Sequence, residues 1–169
     1  RKIASVKALF SFLLDEGLIY EDPTESLAPP RIGRSLPKSL SEEDMNLLLL
    51  ATSSENSPEA LRDMAMIEIM YATGMRVSEL VFLNVGNLNL NDKYVRCLGK
   101  GSKERMISLH DQSVESLDVY LRDSRPKLVS RHPKVGQVEE ALFLNQRGER
   151  LTRQGFWLIL KGYEKRANI

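Results

Sequence analysis

Two cationic residues have neighbours that suggest chemistry. Arg76 lies in ATGMRVSEL, residues 72–80, two residues after Gly74 and three before Glu79. A guanidinium held at the start of a short helix, behind a glycine turn, has five donors and can clamp a phosphate through two of them. The same spacing also makes an ordinary surface pair with Glu79, worth only a few tenths of a kcal/mol. Lys100 lies in GKGSK, residues 99–103, a glycine-bracketed turn between two apolar segments. A lysine at such a tip could reach into a DNA minor groove or act as a general acid with a lowered pKa, or it is simply solvated. A nucleotide-binding loop of the Walker type is excluded, because Tyr94 and Gly101 occupy the places that require glycine and serine or threonine.

Other chemistries find little support. His110 and His132 form no helical pair, Cys97 is the single cysteine, and no zinc-binding set results. No Gly-x-Ser-x-Gly elbow occurs. Both histidines read as surface or loop residues, and Phe156 with Trp157, opening the last helix, read as core. A lone cysteine rules out an internal disulfide and suits a reducing compartment, so a cytoplasmic protein is expected. The longest apolar run, Leu47 to Ala51, is far below the roughly 18 residues that span a bilayer. The N-terminal RKIASVKALFSFLL superficially resembles a signal peptide, but Lys7 interrupts it and no small-residue cleavage site follows.

The net charge of +1 conceals segregation. From Ser41 to Glu79 eight acidic residues face two basic ones, a net −6. From Asn145 to Ile169 six basic residues face two acidic ones, and from Asp92 to Met106 five face two. Such basic patches suit a polyanionic partner, although solvated faces carry similar charge.

The elements that must position these residues follow from period and caps. Ile3, Val6, Phe10 and Leu13 mark a helix over residues 2–14. Pro29, Pro30 and Pro37, interleaved with Arg31, Arg34 and Lys38, predict an extended connector. Ser41 to Asp44 predicts a capped helix start, and Ser57-Pro58 opens a helix apolar on most sides that should stop at Gly74. From Asn87 the period shifts to 2, predicting short strands around two turns. Val114, Leu117 and Leu121 predict a helix ending near Pro126, followed by a polar loop from Arg125 to Gln137. Ala141 to Leu144 reads as a short extended piece, and Thr152 caps a last helix carrying Phe156, Ile159, Leu160 and Tyr163. The expected fold class is mainly α with a small antiparallel β-sheet (α+β).

Taken together, YATGMRVSELVFL, then the lysine of LGKGSKERMISL 24 residues after Arg76, then LFLNQRGERLTRQGFWLILKGYEKRANI resemble the tyrosine site-specific recombinases, closest to the Xer type. The connector ending in LPKSLSEEDM fits the same order, so the resemblance spans essentially the whole chain. It implies a tyrosine that attacks a DNA phosphodiester to give a 3′-phosphotyrosyl link, with no metal or nucleotide cofactor. It makes Arg76 a catalytic clamp on the non-bridging oxygens, Glu79 its orienting partner, and Lys100 the acid that protonates the leaving 5′-oxygen. It further implies double-stranded DNA as substrate and a homo- or hetero-tetramer on that DNA.

The family continues with His-x-x-Arg, a further His or Trp, and the nucleophilic tyrosine. Here His110 leads to Ser113 and His132 to Val135, and all five tyrosines precede the expected nucleophile position. The chain is therefore expected to be a fragment, inactive alone. Residues 1–27 would be the end of an N-terminal core-binding domain, 28–39 a linker, and 40–169 the first two-thirds of a C-terminally truncated catalytic domain. Charge and position add Arg31, Arg34, Lys38, Lys103, Arg105 and Arg153 as DNA contacts, the last at a helix N-terminus that suits phosphate. Two alternatives stand beside this reading: a non-catalytic DNA-binding relative, and a helical protein-interaction module with unremarkable surface cations.

Overall fold

The computed structural model describes residues 2–28, 39–99, 104–132 and 140–169. The chain divides into two compact units, Arg1–Ser39 and Leu40–Ile169. In the first, helix α1 spans Lys2–Asp15, and none of its described residues is buried. Of the stripe seen in the sequence, Ile3, Phe10 and Leu13 are half-buried and Val6 is exposed, while Leu9 and Phe12 beside it are each more than half exposed.

Capping chemistry sets the boundaries of the second unit. Helix α2, Glu42–Ser53, starts with a capping box: the Ser41 hydroxyl accepts the Asp44 N–H at 3.0 Å, and the Ser41 N–H donates back to Asp44 at 3.1 Å. Helix α3, Pro58–Thr73, starts with the Ser57 hydroxyl accepting the Ala60 N–H, and with proline where its missing donor costs nothing. It ends at Gly74, whose φ of +60° is the left-handed closure that glycine adopts without a Cβ penalty. Between these caps, Ala65, Met66 and Ile69 are fully buried, each large side chain contributing about 1.5–3 kcal/mol.

α3 is the central helix, packed by α2, by α4 (Val77–Phe82), by α5 (Asp111–Val119) and by α6 (Arg125–Val129). A three-stranded antiparallel sheet, β1 (Leu88–Asn89), β2 (Tyr94–Leu98) and β3 (Glu104–Ser108), is ordered β1-β2-β3. Val95 pairs with Ile107 and Cys97 with Arg105. Strand side chains alternate between faces, so these four share one face, and Val95 and Cys97 are buried on it. Helix α7, Arg153–Ala167, begins with the Thr152 hydroxyl accepting the Gly155 N–H and ends at left-handed Asn168.

Two expectations are corrected. The helix after Leu109 does not end near Pro126, and Arg125 does not begin a loop: a π turn over Tyr120–Ser124 leads directly into α6. Pro126 falls in the first turn of α6, the position that tolerates a missing N–H. Trp157 is not core but 56% exposed, whereas Phe156 beside it is buried; successive helical residues point about 100° apart, and only one can face α3. Within the charged stretch of residues 41–79, Arg62, Asp63 and Glu68 are buried.

Arg62 and Asp63 are paired with each other, and Glu68 accepts a hydrogen bond from the Gln112 amide at 2.9 Å. Arg62 donates to Asp63 through Nε at 2.8 Å and Nη2 at 2.7 Å, and through Nη1 to the Leu144 carbonyl at 2.7 Å. The Tyr163 hydroxyl donates to the other Asp63 oxygen at 3.2 Å, tying α7 to α3. Burial pushes the Asp63 carboxyl up, against the pull of Arg62. The Leu144 bond belongs to a wider arrangement. Ala141 to Leu144 is fully buried yet lies outside the sheet. Its carbonyls are satisfied in turn by Arg125, the Tyr120 hydroxyl, the Leu151 N–H and Arg62. Buried backbone must find such partners, and here side chains supply three of the four.

Gly148 closes the turn after this segment with φ of +80°, and a Cβ there would stand 2.5 Å from the Leu128 carbonyl. Gly148→Ala is expected to cost about 2–4 kcal/mol from left-handed strain plus overpacking. That corresponds to a melting temperature lower by about 5–15 °C in a thermal melt followed by circular dichroism.

Candidate active site

The site is built where α3 stops. The Gly74 turn leads into Met75, which is buried and anchors the turn, and then into Arg76, the N-cap of α4. Arg76 has extended backbone, with φ −72° and ψ 148°, which turns its side chain out of the core. That side chain is 71% exposed.

Glu79, at the third position of α4, is its counterpart. One oxygen accepts the Arg76 backbone N–H at 2.8 Å, and the other accepts Arg76 Nη1 at 3.2 Å. A carboxylate in this place satisfies an orphan donor and complements the helix dipole. Arg105, reaching from β3, donates Nη1 and Nη2 to the two Glu79 oxygens at 3.0 and 2.7 Å. The Glu79 side chain is only 8% exposed. The hydrogen bonds from Arg105, followed by that from the Arg76 backbone, hold its carboxyl down at about 2.

Arg150, which the sequence marked only as one charge among several, fixes the other end of α4. Its Nη1 donates to the Val81 and Leu83 carbonyls at 3.0 and 3.1 Å, and its Nη2 to Asn84 Oδ1. These are groups left unpaired where a helix ends, and a cation there suits the dipole. No periodicity distinguishes this arginine, because its role depends on an approach across more than sixty residues of sequence.

The structure brings Arg76, Glu79 and Arg105 into direct contact. Arg153 is exposed at the start of α7 and lines a cleft of about 420 Å³ with Val77, the residue after Arg76. Lys100, Lys103, Arg31, Arg34 and Lys38 lie outside the described residues. Two tyrosines are committed elsewhere: Tyr120 donates to the Leu142 carbonyl and Tyr163 to Asp63. Burial pushes both phenols up to about 12.

Glu79 gives the site a pH signature. A carboxyl depressed from 4.5 to about 2 on folding stabilises the fold above pH 4.5, and that contribution is lost as pH falls toward 2. Asp63 and Glu68 are pushed the opposite way by burial, so the effect is isolated as a difference between variants. Denaturant titrations should find Glu79→Gln less stable than wild type at pH 6, with the gap closing as pH nears 2. A gap independent of pH would contradict the assignment.

Comparison with known proteins gives the site a family. Residues 38–169 match the phage integrase family. Tyrosine recombinase XerC of Herpetosiphon aurantiacus is 45% identical over 169 residues, covering all of this chain and 54% of the relative. Tyrosine recombinase XerD of Listeria innocua is 44% identical, with 100% and 55% covered. The chain thus spans about half the length of the curated relatives it matches. The XerA recombinase structure superposes with a TM-score of 0.67 at 23% identity, over 99% of this chain and 54% of that one. A lambda integrase dimer bound to a COC′ core site gives 0.69 at 17%, over 99% and 44%. These two likenesses are of fold: mainly helical, with one small antiparallel sheet. With the family match over residues 38–169, this chain belongs to the phage integrase family, and along its whole length it is similar to the tyrosine recombinases XerC and XerD.

Proposed function

We propose that this protein binds double-stranded DNA and takes part in site-specific cutting and rejoining through a 3′-phosphotyrosyl intermediate. The observation that carries the reading is the exposed Arg76 guanidinium, set on a helix N-cap and oriented by a nearly buried, ionised Glu79. In the reaction a tyrosine oxygen attacks phosphorus, and the 5′-oxygen leaves. Arg76 binds the non-bridging oxygens as negative charge develops on them. Lys100 gives its proton to the leaving oxygen. Rejoining reverses these steps and returns the proton. The reaction as written calls on neither metal nor nucleotide.

The nucleophile is assigned to the part of the longer relatives that this chain does not span, since all five tyrosines here precede the position at which the family's nucleophile is expected. The 169-residue chain is accordingly inactive alone. Residues 1–27 serve as the end of a core-binding domain, 28–39 as a linker, and 40–169 as the first part of the catalytic domain. Arg31, Arg34, Lys38, Lys103 and Arg153 are the phosphate contacts, and the working assembly is a tetramer in the cytoplasm, where Cys97 stays reduced.

Salt-titrated fluorescence anisotropy on a labelled duplex tests the binding half. Each lost phosphate contact lowers the slope of log affinity against log salt by about one. Arg76→Ala and Arg153→Ala should each do so. An affinity independent of salt, or no affinity at any salt, would favour a protein-interaction module.

A further inference from the structure

We propose that Arg105 is a positioning residue, one that occupies Glu79 so that Arg76 is left free for phosphate, and that it does not itself contact DNA. The inference rests on the reading of Arg76 given above and deepens it.

Two guanidinium groups compete for one carboxylate. Arg105 takes both Glu79 oxygens, at 3.0 and 2.7 Å, in the parallel two-bond geometry that makes arginine–carboxylate pairs strong. Arg76 keeps only a 3.2 Å side-chain contact, to the oxygen that Arg105 Nη1 already holds. The three side chains together carry one net positive charge, and the more exposed of the two arginine side chains is that of Arg76, at 71% against 39% for Arg105. Without Arg105, Glu79 could turn both oxygens onto Arg76, and a phosphate would first have to displace a carboxylate.

The strand register explains why Arg105 meets Glu79. Arg105 pairs with Cys97 and alternates with Ile107, placing it on the sheet face that carries Val95 and Cys97 into the core. Glu104 and Met106, on the opposite face, are exposed. The Arg105–Glu79 pair therefore fastens β3 to α4, the helix that presents Arg76. Among the described residues, the charged groups facing Glu79 are Arg76 and Arg105, with Cys97 beyond Arg105.

Three readouts test this. Salt-titrated anisotropy with the 169-residue chain should give the Arg76→Ala, Arg105→Ala double variant the same slope as Arg76→Ala; a further drop of about one would make Arg105 a phosphate contact and overturn the proposal. Single-turnover cleavage by the protein expressed from its complete reading frame should fall about 10–100-fold in Arg105→Ala. The Arg76→Ala, Arg105→Ala double variant should be no slower than Arg76→Ala, and Glu79→Gln should restore part of the Arg105→Ala loss. Wild-type cleavage by Arg105→Ala, or multiplicative losses in the double variant, would overturn it. Third, carboxyl NMR of the 169-residue chain should show Glu79 titrating higher in the Arg76→Ala, Arg105→Ala double variant than in Arg76→Ala, where Arg105 still holds the carboxylate. An unchanged Glu79 titration would sink the proposal on its own. Arg105→Met, which keeps an apolar stem, replaces the alanine variant if that variant does not fold. Undiminished cleavage by Arg76→Ala would instead refute the underlying function, and the Glu79 titration would still decide whether Arg105 governs that carboxylate.

Discussion

Arg76→Ala is expected to slow single-turnover DNA cleavage by about 10²–10³-fold, the usual cost of removing one preorganised donor to a developing oxyanion. The measurement uses the protein expressed from its complete reading frame and a duplex carrying the cleavage site. The same substitution should shift the melting temperature by no more than about 2 °C. That separation follows from the geometry: the side chain is 71% exposed and makes one 3.2 Å contact. The backbone N–H that caps α4 through Glu79 survives in alanine. Arg76→Lys should recover only part of the rate, because an ammonium cannot make two parallel bonds to phosphate. A loss of fold accompanying the loss of cleavage would make Arg76 a structural residue instead.

Arg62→Ala should do the reverse. It leaves the Asp63 carboxylate buried without its cation, a change that costs about 3–5 kcal/mol, and it strips the Leu144 carbonyl of its donor. Thermal melts should fall by about 6–20 °C. Replacing Arg62 by Met and Asp63 by Leu together should recover much of this, since an apolar pair avoids stranding a charge. The salt slope of DNA binding should not change in any of these variants while folded, because Arg62 is 3% exposed. A mild effect of Arg62→Ala would mean that solvent reaches Asp63 more freely than the packing indicates.

Residues that act locally were legible in the sequence. The caps at Ser41, Ser57 and Thr152, the stop at Gly74 and the switch to period 2 after α4 all depend on neighbours within four positions. Arg76 was legible for the same reason, since the glycine turn and the capping glutamate are both adjacent. What escaped was set by distance in sequence. Nothing local marks Arg62, Asp63 and Glu68 as buried, because their partners Leu144, Tyr163 and Gln112 lie at least 44 residues away. Pro126 reads as a terminator because a π turn leaves no periodic signal. Charge alone makes Arg105 a phosphate contact, whereas the role proposed for it is positioning. Its alternation with Ile107, opposite Cys97, was the available sign that it faces inward.

The central claim is that Arg76 serves a covalent reaction whose nucleophile lies outside these 169 residues. A nicked-duplex trapping assay tests it most directly, with a pool of DNA fragments at low salt. The 169-residue chain would be run beside the protein from the complete reading frame, on native and denaturing gels. The account predicts a denaturant-resistant adduct from the complete protein, its loss in Arg76→Ala, and only a native-gel shift from the shorter chain. An adduct formed by the shorter chain itself, or no adduct and no shift from either protein, would contradict it.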